Sequence, residues 1–266
     1  MSLSQIRRAY ARSGVEDGRV VYVTGNFGRP GLFGASKRDV LAMHLEALLD
    51  LIGPSGTLCV PTASLSLLRS KVVFDPRETP SEMGPFTELV RRSPGSVRQS
   101  HPFVSQTALG DQASFVAGGK TSHVFGPDSP MDRLTRLEAR FISVGMPAKQ
   151  SMSIVHHVEF LANVPYRYVK TFQHQFRSSP TTIDVKTFFL HVVYRDKRIL
   201  REGNNRIVEA LKSLGYIRSC DLGSSFVDSY EFTDFVRTVL PMMMEDPYIW
   251  LRHPVLDPHD SDEVNL

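Results

Sequence analysis

The chain has 266 residues, 41% of them hydrophobic and 22% charged, with a formal net charge of +3; that is globular composition for one large domain or two small ones. Basic and acidic residues are mixed and no Lys/Arg run exceeds two, which excludes the basic stripe of a nucleic-acid binder. Cys59 and Cys220 are too far apart for a disulfide framework or metal spacing, and no stretch approaches the ~20 apolar residues of a membrane span or a signal-peptide core, so a cytoplasmic, reducing location is expected.

Residues 19–25, RVVYVTG, form a β-branched and aromatic run that ends in glycine, the pattern of a buried strand. The glycine-rich loop NFGRPGLFGAS follows. Ser36 then caps a helix whose apolar residues Val40, Leu41, Leu45, Leu48, Leu49 and Ile52 recur at helical spacing until Gly53. GTLCVPT (56–62) is a second strand, so the two strands and their helix predict a parallel βαβ crossover. Ser81 is the expected N-cap of a helix running to about Arg92. FVSQTALG and RFISVGM (140–146) predict strands. SMSIVHHVEFLANV predicts a helix capped by Ser151 or Ser153 and ended by Pro165. Beyond Pro180, TTIDVKTFFLHVVYR alternates like a strand with a hairpin partner nearby. NNRIVEALKSLG predicts a helix ended by Gly215, YIRSCDLGSSF a strand and DSYEFTDFVRTVLPMM a helix. The polar, acidic stretch 253–266 reads as a fraying tail.

Three constellations carry chemistry. The glycine loop can turn backbone N–H groups toward a phosphate at a helix N-terminus, but it lacks both the G-x-G-x-x-G and the Gly-Lys-Ser/Thr fingerprints; a plain connecting loop is the competing reading. His156 and Glu159, at i and i+3, share a helix face, where a carboxylate can fix the imidazole tautomer for proton transfer; a helix-surface pair is the alternative. The segment RQSHPFVSQTALG holds Arg98, Ser100, His101 and Ser105, with His101 kept extended by the following proline. No covalent-nucleophile motif and no zinc cluster occurs, so direct transfer between two bound substrates fits better.

Taken in order, these blocks resemble the aminoglycoside 3-N-acetyltransferase family. The resemblance runs from the first strand and glycine loop through Gly56 to Thr62, then Phe74-Asp75-Pro76, Thr79-Pro80-Ser81, Met83-Gly84 and Arg91. It continues through Pro94-Gly95, Arg98, Ser100-His101-Pro102, Ser105 and Gly110, then Phe125-Gly126, Ser129-Pro130 and Leu134, and closes with Gly145, Ser153, His156 and Glu159. Three departures stand out: Thr24-Gly25-Asn26 replaces the family's H-S-S, Gln99 splits the Arg-Ser pair, and Ser153 replaces a threonine. After residue 180 the match is loose.

The change of pattern after Pro180 favours one α/β unit with two lobes, and the resemblance implies a central mixed sheet flanked by helices. Residues 1–180 would be the acyl-CoA-binding and catalytic lobe, 181–252 a second lobe packed on it, and 253–266 the tail. It implies His156 as general base oriented by Glu159, and acetyl-CoA held by Thr24, Gly25, Asn26, Phe27, Gly28, Phe33, Gly34, Arg98, Ser100, His101 and Ser105. Asp75 and Glu82 would make an acidic pocket for an amino-sugar-like amine, and no metal is required. Small-molecule partners are expected, with no nucleic acid or membrane; a homodimer is left open. Another acyl donor, a non-sugar amine, or a catalytically inactive homologue that binds CoA or sugar are the alternatives.

Overall fold

A computed structural model describes residues 2–31, 36–119, 121–194 and 205–252, and the backbone of 264–265. The expected positions Phe33 and Gly34 lie outside the described residues.

The first described third follows the expected pattern. Helix α1 (Leu3–Arg12) leads to strand β1 (Val20–Gly25), then helix α2 (Lys37–Ile52) and strand β2 (Thr57–Pro61). Ser36 caps α2 through a reciprocal capping box with Asp39. β1 and β2 pair in parallel, Val20 opposite Thr57, as the βαβ reading requires. A 3-10 helix (Leu65–Arg69) follows, then α3 (Pro85–Arg91), β3 (Val97–Arg98), β4 (Gln106–Gly110), α4 (Ala113–Ala117), α5 (Pro130–Arg136) and β5 (Arg140–Val144). Next come α6 (Ala148–Ser151), α7 (Val155–Leu161), the hairpin β6 (Arg167–Ser179) and β7 (Thr182–Tyr194), then α8 (Arg206–Ser213), β8 (Arg218–Leu222), β9 (Ser225–Glu231), α9 (Phe232–Glu245) and β10 (Val264–Asn265).

The main sheet is mixed, in the order β3-β4-β2-β1-β5-β9-β8. β1 lies at its centre, parallel to both β2 and β5. Its side chains alternate between two cores, as strand geometry demands. Val20 and Tyr22 pack with Phe141, Phe232 and Val158, while Val21 and Val23 pack with Tyr10, Leu48 and Ile52. Each face is therefore covered by helices. A third cluster, with Phe74, Phe103, Phe176 and Phe188, lies under the β6–β7 hairpin.

Several boundaries differ from the sequence-based expectation. The helix expected from Ser81 begins at Pro85 instead. Gly84, at φ +110°, is its N-cap, and proline at the first helical position fixes the start. Ser81 bonds sideways to Thr87 and Glu88. Neither Ser151 nor Ser153 caps α7; Ser151 Oγ donates to Ser143 Oγ at 2.8 Å, and Ser153 Oγ donates to Tyr22 Oη at 3.4 Å. YIRSCDLGSSF is a hairpin and not one strand: Leu222 pairs with Ser225 across Gly223-Ser224, and Gly223 has φ +60°, the two-residue turn that glycine favours. The segment DSYE, expected as helix, extends β9 because β5 supplies its backbone partners, Ser143 opposite Asp228.

The division expected at residue 180 falls in the turn of the β6–β7 hairpin. Beyond it, β8 and β9 join the main sheet beside β5. Among the described residues, β8 and β9 therefore complete the main sheet on one edge, while β6, β7 and β10 form a separate three-stranded sheet.

Candidate active site

The parallel strands β1, β2 and β5 all run toward the same edge, and the segments leaving that edge build the site. Ligands of open α/β sheets settle outside the carboxyl ends of such strands. From β2 the chain enters the 3-10 helix; from β1 it enters the glycine loop; from β5 it passes through Gly145 and α6 into α7.

The residues of β1 and β5 approach so closely here that side chains are excluded. Gly25 has φ +136°, and a Cβ on it would lie 2.1 Å from the Val144 carbonyl oxygen. Gly145 has φ +63°, and a Cβ there would meet the Asn26 oxygen at 2.5 Å. Asn26 N–H donates to Val144 O at 2.7 Å, and its side-chain oxygen accepts from Gly28 N–H at 3.1 Å. The start of the loop is thus held by its own backbone bonds.

On α7, His156 and Glu159 meet as the spacing requires. His156 Nδ1 lies 2.6 Å from Glu159 Oε2. Glu159 is wholly buried, yet it is surrounded by donors. Tyr166 Oη donates to Oε1 at 2.8 Å, and Arg167 Nε lies 2.9 Å from Oε2. Burial alone would raise the carboxyl pKa, but the charges of Arg167 and then His156, followed by the hydrogen bonds of His156 and Tyr166, overcome it and hold Glu159 down to about 2. It is a carboxylate at any physiological pH. A 2.6 Å contact to an acceptor-only carboxylate assigns the proton to Nδ1, so Nε2 is the nitrogen left to accept one.

His156 also lines a cavity of about 510 Å³, with Leu65, Ser66, Arg69, Phe125, Arg167 and His191 among its walls. Its side chain is 27% exposed against none for Glu159; the acid is sealed in while the base lines the cavity. His191 is pushed down to about 3, by burial first and then by Arg167, so it is neutral. The neighbour His157 leaves α7 about 100° around the helix, on another face. It is buried, its Nδ1 accepts from Gly126 N–H at 3.1 Å, and burial lowers its pKa to about 4.

A second cavity, about 380 Å³, lies against the glycine loop. Gly25, Asn26, Phe27 and Gly28 line it together with Lys37, Val40, Leu41, Met83, Gly84 and Met146. Phe27 is stacked on Phe86 at 4.0 Å between ring centroids. Residues 82–83 link the walls of the two cavities. Met83 lines the loop cavity, and Glu82 accepts from the backbone N–H and hydroxyl of Ser66, which lines the His156 cavity.

Other expected site residues are elsewhere. Arg98 is inside the protein. Its guanidinium donates to Ser105 Oγ at 3.0 Å, to Thr62 O at 2.5 Å, to Ser64 Oγ at 3.0 Å and to Thr79 O. Ser105 is itself buried against Thr62. His101 is fully buried among Phe103 and Phe188, and burial pushes its pKa down to about 3. This segment ties β2, β3 and β4 together rather than opening on the loop cavity. Ser100 is half-buried and lines a different cavity, with Asp75 and Arg177. Asp75 pairs with Arg177 at 3.2 Å. Arg177 stands ten residues along β6 from Arg167, or about 33 Å of extended strand, so Asp75 belongs to the hairpin's far end. Of the two expected acceptor carboxylates, only Glu82 lies beside the His156 cavity, and no Asp or Glu is among the described residues lining it. The acidic pocket expected there is instead apolar with arginines at its walls.

Sequence reasoning missed Arg167, Tyr166, His191 and Lys37. Lys37 could have been found as the first helical residue after the glycine loop. Tyr166 and Arg167 follow the proline that ends the α7 segment, but their return onto Glu159 depends on how the hairpin folds back.

The fold and site define an α/β protein with a buried carboxylate–histidine pair facing a cavity where parallel strands end. Residues 36–244 match the family model described as aminoglycoside 3-N-acetyltransferase, and the chain belongs to that family. A curated relative, aminoglycoside N(3)-acetyltransferase IX of Micromonospora chalcea, is 29% identical over 189 residues, 64% of this chain and 66% of that protein. The chain thus aligns with just under two thirds of that relative's length. Among solved structures, aminoglycoside acetyltransferase AAC(3)-Xa has a TM-score of 0.77 at 25% identity, covering 92% of this chain and 93% of its own. AAC-IIIb, solved as a binary complex with CoASH, has a TM-score of 0.78 at 19% identity, covering 92% of this chain and 97% of its own.

Proposed function

We propose that the protein is an acetyl-CoA-dependent N-acetyltransferase that acts on a primary amine of an amino-sugar-like acceptor. The family membership supports the reaction class, and the structural relative in complex with CoASH supports the donor. The observation that carries the reading is the Glu159–His156 pair, a buried carboxylate 2.6 Å from a histidine that opens on a cavity.

The donor fits the loop cavity. Phe27, Val40, Leu41, Met83 and Met146 offer apolar walls to a pantetheine arm, while the Lys37 ammonium suits its phosphates. The acceptor fits the adjoining cavity. There Glu159 holds the Nδ1 proton, and Nε2 takes the proton of the attacking amine. The amine nitrogen forms a bond to the thioester carbonyl carbon, the carbon–sulfur bond breaks, and the CoA thiolate leaves and recovers the proton from the imidazolium. An ammonium cannot attack, so general-base help of ~10²–10⁴-fold is the expected share of the histidine. Holding both substrates in adjoining cavities supplies the proximity part of the rate.

The test is thiol release from acetyl-CoA with a panel of amino-sugars, alongside calorimetry with CoA, ATP and NAD. Thiol release with at least one amino-sugar and binding of CoA over ATP and NAD are expected. CoA binding without release from any amine would overturn the enzyme reading in favour of a binding homologue. Tighter binding of ATP or NAD would overturn the donor assignment.

A further inference from the structure

Resting on the assignment of His156 as base, we infer that Arg167 is a positioning residue that serves as the standing counterion of Glu159 and thereby sets the pH range in which His156 can accept a proton.

The geometry is specific. Glu159 Oε2 has two cationic or potentially cationic partners, His156 Nδ1 at 2.6 Å and Arg167 Nε at 2.9 Å. Arg167 Nη2 is 3.2 Å from His156 Nδ1, and Nη1 donates to His191 O at 3.0 Å, which clamps the guanidinium in place. The arginine side chain is 5% exposed, so its charge acts with little screening by water.

Consider the site without that arginine. A fully buried carboxylate with no fixed cation would recruit one, and His156 is the group at hand. Protonated His156 would be stabilised by the pair and could no longer take a proton from the amine. With Arg167 present the carboxylate is already compensated. Glu159 can then orient the imidazole through one hydrogen bond without trapping a proton on Nε2. The same arginine sits beside the ring and opposes its positive charge directly.

Among the described residues, the other groups facing His156 do not replace this function. From β7, His191 is neutral, held at about 3 by burial and by Arg167. Tyr166 donates a neutral hydrogen bond to Glu159. From the 3-10 helix, Arg69 lines the same cavity, and Glu82 is bonded to Ser66 at its rim. Arg167 is the cation in direct contact with both members of the pair.

The test uses the full chain and two readouts, the pH dependence of kcat/KM for thiol release and the NMR titration of the His156 ring. Arg167→Gln is expected to move the acid limb and the ring titration upward by about one unit or more. Arg167→Lys, which keeps the charge, should leave both close to their original positions. The paired change Glu159→Gln with Arg167→Gln should bring the titration back down, and Glu159→Gln alone should lower it further. These last variants keep the inference falsifiable if Arg167→Gln does not fold. A titration unmoved in Arg167→Gln, or equal in Glu159→Gln and the paired variant, overturns the inference, as does a loss of kcat at all pH values without a shifted limb. The NMR titration needs no turnover, so a shifted titration with no thiol release would sink the enzyme reading while leaving the electrostatic role standing.

Discussion

Two histidine-bearing segments of this chain look alike in sequence and do opposite things in the fold. His156 stands on α7, with a buried carboxylate behind it and a cavity in front. His101 stands before Pro102 beside an arginine and two serines, and it is sealed among phenylalanines. Both have polar neighbours, yet only the first couples a compensated charge to open space. A titratable group becomes chemically useful when one side is held and the other is accessible. Where both sides are enclosed, burial keeps the ring neutral and it acts as a packing element with a hydrogen bond.

The largest effect that could break this contrast concerns activity. His156→Ala is expected to lower kcat by ~10²-fold or more with CoA affinity unchanged, because the ring faces the cavity proposed for the acceptor and not the one proposed for the donor. His101→Ala should leave kcat and CoA affinity unchanged while costing ~2–4 kcal/mol of stability, from the lost packing and the stranded Val104 N–H. Steady-state kinetics with denaturant unfolding would decide. Equal kinetic damage from the two changes would remove the distinction.

The next effect sharpens the difference through pH. His44, His101, His157 and His191 are held to about 4, 3, 4 and 3 by burial, below the usual 6.5. Their folded pKa values are depressed, so the unfolded chain binds protons first as pH falls. The stability they contribute is complete above about 6.5 and is lost progressively toward about 3. Glu159 behaves likewise lower down: its contribution is present above the usual 4.5 and is lost as pH falls toward about 2. Urea midpoints should therefore begin to fall just below neutrality. His157→Gln, which keeps an acceptor for Gly126, should flatten that slope; a flat profile from pH 7 to 5 in the original chain would contradict the burial argument.

The smallest effect separates the hairpin's far end from the cavity. Asp75→Asn removes a partly exposed pair with Arg177 and should cost about 1 kcal/mol or less with no change in kcat or KM. A large KM rise for the acceptor would place Asp75 at the site after all.

The chain itself determined its central βαβ unit, because Ser36, Gly53 and the apolar spacing of α2 are local signals that packing reinforces. It determined the His156–Glu159 contact too, since i and i+3 on a helix meet whatever surrounds them. The ordered motif blocks carried the family, whose model covers 36–244. Only the tertiary structure decided which polar residues are sealed and which are open. Arg98, His101 and Ser105 turned inward because β2, β3 and β4 close around them, and Asp75 went to the far end of the hairpin because Phe74 bridges to Phe176 there, a pairing far apart in sequence. The return of Arg167 onto Glu159 likewise depends on the chain folding back after Pro165, a non-local contact that brings a cation to a carboxylate already out of water. Sequence order states which groups are available; burial and long-range pairing determine which of them keep a charge, a partner and access to a substrate.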